Sequence, residues 1–149
     1  MQLSELVNAG CTTVVGVTGT DSISRSMENL LTKVRAINEE GLTAYMWTGA
    51  YVLPAPTITG SVMRDVCLIE SCIGVGEVAV ADHRGSQPTV QDLERLASEC
   101  RVGGMLGGKA GKRRMLCWYC LAKSDNHKIR FRCCPCSYGH WGSSSRLAA

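Results

Sequence analysis

The chain has 149 residues, of which 45% are hydrophobic and 19% are charged, so it can bury a core and is too apolar for an intrinsically disordered protein. Its net charge of +3 averages an acidic body and a basic tail, because half of the 16 Lys and Arg residues but only one of the 13 acids follow Gly111. The first residues lack the features of a signal peptide, and no apolar run could cross a bilayer. We therefore expect a cytoplasmic protein without a membrane partner.

Strands and helices alternate along the first 111 residues. Apolar periodicity and β-branched runs predict, in order, a helix at 3–9, a strand at 11–17, a helix at 27–37, a strand at 42–48, a helix at 65–71, a strand at 73–80 and a helix from about 89. Asp21 or Ser22 is the predicted cap of the second helix. This alternation predicts an α/β fold with a parallel sheet, in which sites form at the carboxyl ends of the strands.

Six segments of this body resemble isoaspartyl (β-aspartyl) dipeptidases of the amidohydrolase superfamily, in the family's order and at close to its spacing. They are 8–25, 48–51 (Thr-Gly-Ala-Tyr), 57–61, 73–80, 82–84 (Asp-His-Arg) and 101–109. The resemblance covers about residues 1–111 and implies an internal fragment of a (β/α)₈ barrel, with about three β/α units present. It also implies hydrolysis of β-aspartyl dipeptides by a centre of two zinc ions, a metalloprotease chemistry.

The resemblance gives four residues a role. Tyr51 would stabilise the charge that develops on the substrate carbonyl oxygen, Arg84 would bind the substrate α-carboxylate, and Thr20 would contact polar groups of the substrate. Glu77 aligns, after a shift of one residue, with a carbamylated lysine of many relatives, and would bridge the metal ions as a carboxylate. Without the resemblance, Tyr51 is equally explained as a packed loop aromatic and Arg84 as the partner of a neighbouring aspartate.

The family's other metal ligands, which are histidines and an aspartate, have no counterpart in this chain. We therefore expect the chain alone to be catalytically inactive. Family members oligomerise, but the surfaces involved are partly absent here, which leaves the oligomeric state open.

Residues 112–149 form a separate, basic tail that holds five of the nine cysteines. Neither helical nor strand periodicity is evident there, which favours an irregular segment produced by a frameshift or by read-through of an intron. The alternative is a small zinc-binding module, because Cys117-x2-Cys120 and Cys133-x2-Cys136 have the pairing of a zinc ribbon or knuckle. Such a module would bind nucleic acid or protein through its basic and aromatic side chains.

Overall fold

A computed structural model describes residues 3–80 and 82–109, together with the backbone of 114–118. The elements are α1 (Leu3–Asn8), β1 (Thr13–Gly16), α2 (Met27–Glu39), β2 (Thr43–Thr48), α3 (Val62–Leu68), β3 (Cys72–Ala79), α4 (Val90–Leu106) and β4 (Arg114–Trp118). The strands form one parallel sheet in the order β1-β2-β3-β4, with one helix between each successive pair. The predicted α/β class and parallel sheet are confirmed. No helix in the described ranges has the length and apolarity needed to cross a membrane.

The core lies between the sheet and its helices. Met46 of β2 and Val75 and Val78 of β3 are fully buried and belong to the same cluster as Val34 of α2 and Leu93 of α4. Burial of such side chains contributes about 1.5–3 kcal/mol each. The helices therefore stay on the sheet through apolar contacts, and the loops at the strand ends are left to carry polar groups.

The residue that caps α2 differs from the prediction. Ser26, and not Asp21 or Ser22, caps α2 by accepting a hydrogen bond from the Asn29 amide at 3.2 Å. Asp21 instead accepts the Ile23 and Ser24 amides at 3.2 and 2.9 Å, which folds a tight turn in the loop after β1. The Ser26 hydroxyl and the Asp21 carboxylate both accept hydrogen bonds from nearby backbone amides. The residue types alone therefore could not predict which of the two caps the helix and which forms a turn.

One helix is shifted from its predicted position, and another runs into a glycine-rich segment. α3 starts at Val62 and ends at Leu68, three residues before each end of the predicted 65–71, because the Ser61 hydroxyl caps it by accepting the Arg64 amide at 3.2 Å. α4 continues through Gly103, where an added Cβ would lie 2.5 Å from the Met63 carbonyl oxygen. A glycine at this position lets two helices approach closely, which outweighs its poor helix propensity.

The structure corrects the prediction of a tail that is irregular from its first residues. β4 pairs in parallel with β3 from Gly74 opposite Arg114 to Ala79 opposite Trp118. The strand contains the short apolar run 115–118, which is what a covered parallel strand requires, but the adjacent basic residues obscured it. Cys117 lies in this strand. The other three cysteines of the alternative zinc site, Cys120, Cys133 and Cys136, lie outside the described residues.

Candidate active site

The four predicted site residues lie at the carboxyl ends of three neighbouring strands: Thr20 follows β1, Tyr51 follows β2, Arg84 follows β3 and Glu77 lies near the end of β3. The loops after β1 and β2 are joined by the buried Thr18 hydroxyl, which donates to the Gly49 carbonyl oxygen at 3.1 Å. Glu77 reaches toward the loop after β1, since its Oε2 lies 4.0 Å from the position that a Cβ on Gly19 would occupy. Its carboxylate therefore extends across the end of β2 toward the loop that contains Thr20.

Glu77 occupies an irregular position in the sheet. The register of β3 and β4 shifts between Gly76 and Val78, so Glu77 has no partner opposite it. A bulge of this kind redirects a side chain at the end of a strand. Burial raises the pKa of Glu77, and within the described ranges no hydrogen bond or ion pair compensates its charge. A half-buried carboxylate without a partner among the described residues has the chemistry of a cation ligand.

The described residues do not form a metal centre by themselves. No group of three or more His, Cys, Asp or Glu side chains converges anywhere in the part of the chain that the structure describes. Glu77 is therefore a single candidate ligand among the described residues. Thr20 is exposed beside Gly19, and no described hydrogen bond links its hydroxyl to Tyr51, Glu77 or Arg84.

Tyr51 and Arg84 come from different loops and meet. The Arg84 guanidinium carbon lies 5.6 Å from the centroid of the Tyr51 ring, within the range of a cation–π contact. The Tyr51 carbonyl accepts the Ala79 amide at 3.1 Å, and the Leu53 amide donates to the Ser86 hydroxyl at 2.8 Å. These bonds fasten the loop after β2 to the end of β3 and to the loop that follows it.

Asp82 orients the Arg84 side chain. The guanidinium Nε lies 2.9 and 3.1 Å from the two carboxylate oxygens, Nη2 also contacts the carboxylate, and the Arg84 amide donates to Oδ1 at 3.0 Å. Hydrogen bonds from Arg84 hold the pKa of Asp82 well below its usual range. Asp82 is 2% exposed while Arg84 is 52% exposed, so the buried acid fixes a cation that still reaches solvent.

Arg84 thus pairs with a neighbouring aspartate, Asp82, as expected without the resemblance. This pairing does not exclude a second role for Arg84. Asp92 is not its partner, because Asp92 forms a capping box with Thr89 at the start of α4. His83 is 91% exposed in its side chain, and its Nδ1 lies 3.5 Å from Asp82.

The sequence analysis missed Asp65, which it placed only at the start of a helix. Asp65 is completely buried, and its carboxylate accepts four hydrogen bonds: from the Thr48 hydroxyl at 2.6 Å, the Ile58 amide at 2.9 Å, the Thr59 amide at 2.8 Å and the Thr59 hydroxyl at 2.7 Å. The only sequence signal was an acid four residues after the cap Ser61, in a position common on helix surfaces.

The chain is similar to solved β-aspartyl dipeptidases. A crystal structure of β-aspartyl dipeptidase from the thermophilic, keratin-degrading Fervidobacterium islandicum AW-1, in complex with the β-Asp-Leu dipeptide, is 49% identical with a TM-score of 0.71. A second structure of this enzyme, whose description mentions no dipeptide, gives the same values. Each match covers 72% of this chain but only 29% of the solved chain, so this chain spans less than a third of the enzyme's length.

These similarities confirm the resemblance inferred from the sequence and agree with a fragment of the larger enzyme. No protein-family model matches the chain. The comparisons give no support to the alternative function, a nucleic-acid- or protein-binding zinc module in the tail.

Proposed function

We propose that this chain forms one part of the active site of a β-aspartyl dipeptidase, a hydrolase that cleaves the amide bond of β-aspartyl dipeptides inside a complete (β/α)₈ barrel. The observation that carries the proposal is the contact between Tyr51 and Arg84 at the carboxyl edge of a parallel sheet, in a chain 49% identical to such an enzyme. Four parallel strands in sequential order are also the arrangement of consecutive units of that barrel.

In this proposal Tyr51 is a catalytic residue. Its phenol donates a hydrogen bond to the substrate carbonyl oxygen, and that bond strengthens as negative charge develops there. Arg84 binds the α-carboxylate of the dipeptide, since a guanidinium suits the two oxygens of that group. The cation–π contact holds the two side chains together, so substrate binding at Arg84 places the carbonyl close to Tyr51. Thr20 contributes a hydroxyl to the substrate from the loop after β1.

Glu77 is proposed as a ligand of the zinc centre. Its unpaired, half-buried carboxylate supports that role, and the pKa raised by burial means that a nearby cation would stabilise its charged form. The remaining ligands must come from sequence outside the described residues, and we expect the 149-residue chain alone to be inactive. A cytoplasmic location is a further part of this proposal, and it rests on the composition of the chain.

A grafted enzyme tests the proposal directly. Residues 3–109 of this chain would replace the matching segment of the Fervidobacterium dipeptidase, and hydrolysis of β-Asp-Leu would be measured with zinc. We expect turnover by the graft, a loss of roughly 10²–10³-fold in kcat for Tyr51→Phe, and a higher KM with a smaller effect on kcat for Arg84→Lys. The unmodified 149-residue chain serves as the inactive comparison.

Specific outcomes would contradict the proposal. A graft that folds and binds zinc but does not cleave β-Asp-Leu would show that this chain's loops are unsuited to the reaction. Unchanged kcat in Tyr51→Phe would remove the tyrosine from catalysis, and zinc content unchanged in Glu77→Gln would remove the glutamate from the metal site. Asp92→Asn is the control, because Asp92 caps α4 and contacts neither Tyr51 nor Arg84 among the described residues.

A further inference from the structure

The 49–61 loop between β2 and α3 is fastened at both ends by one carboxylate. Asp65 binds the hydroxyl of Thr48, the last residue of β2, and also binds the amides of Ile58 and Thr59 near the start of α3. The intervening segment carries Tyr51. The buried Asp65 side chain therefore connects the two ends of the loop, as a cross-link would.

The hydrogen bonds of Asp65 serve the loop and not its own helix. None of its four donors belongs to α3, whose first turn is already capped by Ser61. Burial of a carboxylate is costly unless hydrogen bonds replace its water, and here four donors do so. An apolar residue at this position would pack the helix without that cost, so packing alone does not explain an acid here.

The other anchors of the loop set the position of Tyr51 from the opposite side. The Ala79 amide binds the Tyr51 carbonyl, and the Arg84 guanidinium lies over the Tyr51 ring. With Asp65 in place, the backbone on both sides of Tyr51 is fixed relative to the sheet. Without Asp65, the loop would keep its anchors at Gly49, Tyr51 and Leu53, but its second half would lose the bonds to Ile58 and Thr59 and could move relative to the sheet.

From this geometry we propose that Asp65 is a positioning residue, which holds the 49–61 loop so that the Tyr51 phenol stays beside Arg84 over the strand ends. The catalytic consequence rests on the proposed function, whereas the structural consequence does not. Misplacement of a reacting group by about 1 Å costs roughly 10²-fold in rate. Asp65 is thus expected to act on kcat through Tyr51, without touching the substrate.

The first experiment uses the full 149-residue chain and needs no activity. Asp65→Asn keeps the size of the side chain but replaces one acceptor oxygen by an NH₂ group, which cannot accept a hydrogen bond from the Ile58 amide in the place of Oδ2 or from the Thr59 amide in the place of Oδ1. We expect amide exchange in the 58–59 segment to accelerate roughly tenfold, as for one lost hydrogen bond. The ¹³C ring resonance of Tyr51 should also shift. Asp92→Asn, the matched control, should change neither quantity.

If Asp65→Asn fails to fold, Thr59→Val gives a milder test, because it removes one of the four donors and leaves the carboxylate intact. It should accelerate exchange in the same segment to a smaller extent. Loop exchange and a Tyr51 resonance that match the wild-type chain in a folded variant would overturn the proposal, whatever the enzyme activity proves to be.

The second experiment is a double-mutant cycle in the grafted enzyme. Asp65→Asn alone should lower kcat by roughly 10²-fold and leave KM almost unchanged. Added to Tyr51→Phe, it should lower kcat little further, because the group that it positions is already gone. Multiplication of the two effects would overturn action through Tyr51. An inactive graft would contradict the proposed function, and the exchange experiment would still decide the role of Asp65.

Discussion

Among the described Lys and Arg residues, Lys109 is expected to contribute most to the stability of the fold. Its Nζ donates to the carbonyl oxygens of Val66 and Ile69 at 2.6 Å each and of Cys72 at 3.1 Å, where α3 ends and β3 begins. The carbonyls of Val66 and Ile69 lie at the C-terminus of α3, which carries partial negative charge. Lys109→Met keeps the length of the side chain and removes the three donors, so it isolates this contribution.

The size of the effect follows from the hydrogen bonds. One bond to a charged group contributes about 1.5–3 kcal/mol. The three bonds share one ammonium, and water can reach some of the exposed carbonyls in the variant, so we expect a total loss of about 2–4 kcal/mol in the free energy of unfolding. At about 2–4 °C per kcal/mol, the melting temperature should fall by about 5–15 °C.

Thermal unfolding of the reduced 149-residue chain, followed by circular dichroism at 222 nm, measures this change. Lys33→Met is the matched control, since Lys33 is exposed on α2 and makes no described contact. Its melting temperature should stay within about 2 °C of wild type. Equal melting temperatures for the two variants would refute the reasoning, because the bonds of Lys109 would then contribute nothing beyond a surface charge.

Three other outcomes are expected. Glu77→Gln should raise the urea concentration at the midpoint of unfolding at pH 7, because burial raises the pKa of Glu77 and its charged form therefore destabilises the fold. This difference from wild type should vanish below about pH 4, where the wild-type glutamate is protonated. Asp82→Asn should reduce the loss of unfolding free energy at acid pH. Arg84 lowers the pKa of Asp82, so their pairing stabilises the fold above about pH 4 and is lost as the pH falls; an unchanged pH dependence of stability would contradict this. Gly103→Ala should lower the melting temperature, since overpacking against Met63 costs about 1–3 kcal/mol and exceeds the gain of about 1 kcal/mol in helix propensity.

Most of the fold could be predicted from apolar patterning. The strands at 42–48 and 73–80 were found within one residue at each end, because covered parallel strands are continuous apolar runs bounded by glycine or polar residues. The start of α2 was predicted correctly but its cap was not, and α3 begins three residues before its predicted start. Asp21, Ser22, Ser24 and Ser26 all precede α2, and tertiary packing decides which one caps it.

The fourth strand shows a different limit. Residues 114–118 follow a cluster of basic residues, and their apolar run is too short to identify a strand without its neighbour. Pairing with β3 supplies the missing information, since a parallel strand is stabilised mainly by burial and hydrogen bonds to the next strand. Whether the sequence beyond 118 is a misread segment or a zinc module stays a prediction.

The candidate site divides into parts that sequence can and cannot predict. Tyr51, Arg84 and Glu77 were chosen as candidates because motifs that resemble those of the family surround them, and the structure brings Tyr51 and Arg84 into contact. The role of Asp65 was not predictable, because it depends on which distant donors converge on its carboxylate, whereas the pairing of Arg84 with a neighbouring aspartate was one of the predicted alternatives. No local pattern encodes that convergence.

The two buried acids point to a common principle in this site. Among the described residues, Asp65 and Asp82 are the buried carboxylates, and each is satisfied by groups that lie in or border a loop at the strand ends. Asp65 fixes the backbone around Tyr51, and Asp82 fixes the side chain of Arg84. Glu77 differs, since its carboxylate is half-buried and lacks such donors. Hydrogen bonds within this chain therefore compensate the charges of Asp65 and Asp82, which support the site. The charge of Glu77, the proposed metal ligand, has no such compensation among the described residues, and a bound cation would balance it.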